Sequence, residues 1–156
     1  MKRVILIFCV LSLQSCKSKK TIATEAPKEK RMVILMPAEI DVAKKNRAYD
    51  LGKRLLETCN TSRFKAFNSS EATEKVIQNA TAEKIAATCK KINQRNGKFL
   101  ALNLIDVTHD EFNDEYIFRY NIDYEKKLFK RELKVTVTTD NKVSAIATQE
   151  IKANPM

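Results

Sequence analysis

Glycine is almost missing from this chain: Gly52 and Gly97 are the only two in 156 residues. A phosphate cradle of clustered glycines is therefore excluded, and no Gly-x-Ser-x-Gly elbow is present to raise a serine nucleophile. Histidine is scarcer still. With His109 alone, and cysteines only at positions 9, 16, 59 and 89, no set has the spacing of a zinc site. The carboxylates around His109 also lack the alternating oxygen ligands and central glycine of a calcium loop. No metal and no cofactor is expected. Nor does any apolar run reach the roughly 20 residues that a permanent membrane-crossing helix requires.

What is present begins at the amino terminus. Lys2 and Arg3 precede an unbroken apolar run from Val4 to Val10, then Leu11, Ser12, Leu13, Gln14, Ser15 and Cys16. A basic start, a short apolar stretch and a small-residue end describe a secretory signal peptide. Leu13, Gln14, Ser15 and Cys16 resemble the lipobox of bacterial lipoproteins, with Gln14 replacing the small or aliphatic residue usual there. The resemblance implies cleavage before Cys16, acylation of its thiol and anchoring to membrane lipid by two or three chains, since one chain binds only marginally. An unlipidated secreted protein is the alternative. Lys17 does not resemble the usual inner-membrane retention signal, so the expected place is the bacterial cell envelope, on the outer membrane facing the periplasm.

Charge divides unevenly along the chain. Lys17 to Arg31 holds six basic residues against Glu25 and Glu29, with almost nothing large and apolar between them. That composition reads as a disordered tether, whose charge either assists an acyl anchor at lipid head groups or simply solubilises. The formal +10 of the whole chain therefore owes much to the leader and the tether. From Phe99 onward acidic residues outnumber basic ones, ten to eight. A nucleic-acid partner, which needs a basic patch with stacking or base-reading groups, is not expected.

The folded part reads as helices followed by strands. Met32 to Met36, closed by Pro37, is a strand, a docking segment or the end of the linker. Asp41 stands as N-cap before a helical stripe of Ala48, Leu51, Leu55 and Cys59. Gly52 in its middle costs about 1 kcal/mol relative to Ala; it is either simply tolerated or permits a close backbone contact, which packing against a sheet would explain. Ser69 or Ser70 is placed to cap a short helix ending near Ile77. Ala82, Ile85, Ala86, Cys89 and Ile92 form a third stripe, stopped at Gly97.

At Phe99 the period changes from 3.6 to 2. A first strand starts there, and a second places Tyr116, Phe118, Tyr120, Ile122 and Tyr124 on one face. A third runs from about Leu128 to Thr138, and Asp140 and Asn141 turn the chain into a fourth, Val143 to Ile151. Short connections favour antiparallel neighbours. The expected divisions are a signal peptide at 1–15, the lipidated cysteine and tether at 16–37, one α+β domain at 38–152 and a tail at 153–156.

This order of elements resembles the NTF2-like superfamily. The resemblance implies two or three amino-terminal helices packed on a curved four-stranded antiparallel meander that forms a cone. A cystatin-like sheet wrapped round one helix is the competing arrangement, and the several helices before Phe99 favour the first. In such a cone Tyr116, Phe118, Tyr120 and Tyr124 would line a pocket for a small ligand, or else form ordinary core. His109 with Asp106 is the one acid/base pair available to an enzyme in that cavity; the other reading makes them part of a solvated turn. Cys59 and Cys89 are either a disulfide, reasonable in an oxidising envelope, or two buried thiols. The preferred function is a non-catalytic envelope lipoprotein that binds a protein partner or small molecule.

Overall fold

The computed structural model describes residues 31–151, so Cys16, the expected signal peptide, most of the expected tether and the tail at 153–156 lie outside the described residues. The elements in order are β1 (Met32–Leu35), a single 3-10 turn (Pro37–Glu39), α1 (Val42–Thr61), α2 (Glu74–Asn79), α3 (Ala82–Asn96), β2 (Phe99–Asp110), β3 (Glu115–Tyr124), β4 (Lys130–Thr138) and β5 (Val143–Ile151). Among the described residues, no helix is long and apolar enough to cross a membrane.

Local chemistry sets most of these boundaries. The Asp41 carboxylate accepts the Ala43 N–H at 2.7 Å and opens α1. The helix ends where Ser62 enters the left-handed region and its N–H returns to the Thr58 carbonyl. Thr81 caps α3 through the Lys84 N–H, and Gly97, with φ of 74°, closes it. The short helix starts later than the serines suggest. Asn68 Oδ1 instead accepts from Ser70 N–H and Oγ, which holds residues 68–72 in a turn, and α2 begins only at Glu74.

All five strands form one antiparallel sheet in the order β1-β2-β3-β4-β5. The expectation of a curved four-stranded NTF2-like cone is therefore wrong. The apolar run Met32–Leu35 is a strand, paired with Val107–Asp110, so the sheet begins inside the stretch assigned to the tether at 16–37. The two edge strands β1 and β5 do not meet, and the sheet neither closes nor curls. Three helices pack with it, and α1 lies against the middle strands. The space a cone would enclose is filled: Phe118, Tyr120, Leu133 and Val135 are each at most 2 % exposed.

Two irregularities in β2 govern which residues face this core. The register slips at Leu100 and again at Ile105, each leaving one unpaired residue exposed. Each bulge shifts the inward phase by one residue. Phe99 faces in, then Leu102 and Leu104, then Val107 and His109, whereas Asp106 goes to the open face beside Arg119.

Candidate binding groove

The carboxy-terminal half of α1, α2, α3 and β5 do not close completely on one another. They leave a groove of about 450 Å³, within the ~300–1,000 Å³ range of ordinary ligand sites. Leu55, Leu56, Val76, Ile85 and Ile92 supply its apolar walls. These side chains face it because the 3.6-residue stripes of α1 and α3 turn toward each other. Ser144 to Thr148 of β5 form the opposite side. Lys75 and Lys84 stand exposed at the rim, and among the described residues no carboxylate lines the groove.

Cys59 and Cys89 form a disulfide in the groove wall, with Cα atoms 4.8 Å apart. It ties α1 to α3 across 30 residues. Polar contacts hold the same junction. Asn93 Nδ2 donates to the Cys59 carbonyl at 2.7 Å, and the Asn60 side chain both accepts the Phe99 N–H and donates to its carbonyl. On the far side, Arg54 donates two hydrogen bonds of 2.8 Å to Glu71. That fork-to-fork pair holds the Glu71 carboxyl down at about 2. Glu71 thereby fixes the segment that leads into α2.

The sequence-selected residues lie elsewhere. His109 stacks on Tyr116, ring centroids 4.6 Å apart, and its Nε2 lies 2.9 Å from Asp114 Oδ1. Lys44 of α1 sits over the other ring, 5.3 Å from the Tyr116 centroid. Asp106 is on the opposite face of the sheet, because its partner Arg119 is three residues from Tyr116 along β3. Arg119 hydrogen-bonds the Asp106 carboxylate, which lowers its pKa and makes it a poorer proton acceptor. The structure does not bring His109 and Asp106 together. Among the described residues, no group of His, Cys, Asp and Glu is arranged to hold a metal ion.

Tyr116, Phe118, Tyr120 and Tyr124 share one face but line no common hollow. Phe118, Tyr120 and Tyr124 are core. Tyr120 borders a cleft of about 380 Å³ beside Lys45 and Tyr49, and Tyr124 a different one of about 410 Å³ at the β3–β4 turn. Both hydroxyls are buried without a hydrogen-bond partner among the described residues. Burial raises both pKa values, that of Tyr124 to about 12.

Sequence reasoning missed the groove. Its signal was faint: the run Ser144, Ala145, Ile146, Ala147, Thr148 carries no charge on what proves to be an edge strand. No family model, curated protein or solved structure matches the chain.

Proposed function

We propose that this chain is a lipid-anchored protein of the bacterial envelope and a non-catalytic binding module, whose groove between the helices and β5 holds an apolar segment of a partner protein. The observation that carries the binding reading is the groove itself: apolar walls, a rim bearing Lys75 and Lys84, and no acid lining it among the described residues. Buried apolar contact would supply the affinity, and the lysines would select a partner with nearby carboxylates.

The leader and Cys16 support the anchor. The tether arrives at β1, one edge of the sheet, whereas the groove lies at β5, the other edge. In wild type, labelled palmitate is expected in the protein, and Cys16→Ala should lose it; equal labelling would remove the lipid anchor. For the groove, a photo-crosslinking residue replacing Lys84 should trap a partner in cells, while one replacing the exposed Ile34 on β1, at the opposite edge of the sheet, should not. The adduct should disappear when Thr88→Trp fills the groove. An adduct indifferent to Thr88→Trp, or none at Lys84, overturns the binding reading.

A further inference from the structure

Resting on the groove reading, we infer that the partner segment binds as an added β-strand on the outer edge of β5, extended, apolar at alternate positions and acidic near one end. An open sheet has two edges, and native edges are normally guarded by charge, proline, bulges or short length. In this sheet the guards are unevenly placed. β1 has only four residues, and the part of β2 that it leaves uncovered is broken by bulges at Leu100 and Ile105. β5 has nine residues, one irregularity near Ser144 and a single charged side chain, Glu150, which is engaged by Arg95 and Arg131. From Ala145 to Thr148 it carries no charge, no proline and no further bulge.

The protein itself starts to use this edge. Glu71 to Thr73 runs parallel to the start of β5, where the Val143 N–H donates to the Glu71 carbonyl and the Thr73 N–H donates to the Val143 carbonyl, both at 2.9 Å. The segment then departs as α2, after one bridging pair. Beyond it the edge continues along the groove, with the apolar surface of α3 opposite, while among the described residues no further strand pairs there. Backbone pairing would give an incoming strand affinity, and the groove would read alternate side chains. Lys75 and Lys84 complement a carboxylate at its end.

The test uses the full chain and a panel of fluorescent seven-residue peptides alternating Val and Thr, with Asp at one end. The best binder is then resynthesised with N-methyl groups on one or the other alternate set of backbone nitrogens. Only one set of peptide N–H groups can face β5. Methylating that set should weaken binding roughly fivefold or more per blocked group, and methylating the other should leave it nearly unchanged. Hydrogen exchange at residues 144–148 should slow on binding, and the exposed double variant Lys75→Glu/Lys84→Glu should prefer peptides ending in Lys. If a peptide binds with both methylated forms equal and β5 exchange unaltered, yet Thr88→Trp blocks it, strand addition is wrong and the groove reading survives. Strand addition is equally wrong, and the groove reading again survives, if no peptide binds while the Lys84 crosslink forms. Absence of both peptide binding and crosslink removes both readings. A dimer with slowed exchange at residues 144–148 makes the occupant a second copy and overturns the foreign peptide.

Discussion

A Cβ on Gly52 of α1 would lie 2.6 Å from Cδ2 of Leu133 in β4, closer than packed carbon atoms approach. Leu133 is fully buried, so the methyl would have to shift within the packed core. Alanine gains about 1 kcal/mol in helix propensity over glycine, but overpacking a core costs about 1–3 kcal/mol. Gly52→Ala is therefore expected to lower stability, by up to about 2 kcal/mol. Urea unfolding followed by circular dichroism checks this, and a stabilised variant would show that α1 can lift from the sheet at little cost.

Glu71 gives a pH signature. Its pKa is lowered from 4.5 to about 2, chiefly by the Arg54 hydrogen bonds, with a further bond from the Asn68 N–H. A carboxyl lowered on folding contributes stability that is complete above its unfolded pKa and lost as pH falls through the folded one. The loss should thus develop between about pH 4.5 and 2. Glu71→Gln should destabilise at neutral pH by about 1–2 kcal/mol and flatten that part of the stability curve. Parallel acid profiles for the two proteins would be enough to reject the Arg54–Glu71 pair as the source.

Reduction of Cys59–Cys89 frees a loop of 30 residues in the unfolded chain. The chain-entropy account puts the cost at about 3–4 kcal/mol. Because the disulfide is also part of the groove wall, Cys59→Ser/Cys89→Ser should both lower the midpoint of thermal unfolding and weaken the Lys84 crosslink. Differential scanning calorimetry in the presence and absence of reductant measures the first effect.

The Tyr120 hydroxyl is buried with no hydrogen-bond partner among the described residues, and burial raises its pKa. Its ring makes the core contacts, including a tilted contact with Tyr49 at 6.3 Å. Tyr120→Phe removes a desolvated polar atom and keeps the ring, so stability should be unchanged or rise by up to about 1 kcal/mol. Tyr120→Ala should cost about 3–5 kcal/mol. A large loss in the phenylalanine variant, read by chemical denaturation, would mean that the hydroxyl is bonded after all.

Much of the local structure was legible because it depends on neighbours in the chain. Asp41 capping α1, Gly97 ending α3 and the switch to strands at Phe99 follow from side-chain hydrogen bonds, backbone freedom and periodicity within a few residues. The aromatic face of β3 was likewise written in alternation, whereas the sequence left Gly52 open between a close approach and a tolerated glycine, and the structure shows the close approach. The site was less legible. A groove is a gap between elements, and neither alternation nor helical period records where three helices and an edge strand fail to meet.

The sequence by itself determined an apolar run after Lys2 and Arg3, a charge-rich segment after Cys16, and helices that precede the four longer strands. Tertiary structure decided the rest through partners distant in sequence. Met32–Leu35 is a strand only because Val107–Asp110 pairs with it. The bulges at Leu100 and Ile105 answer to the register of β3, and they send His109 inward while Asp106 joins Arg119 outside. Four residues carry too little pattern to name their own structure, and a bulge is a property of two strands together.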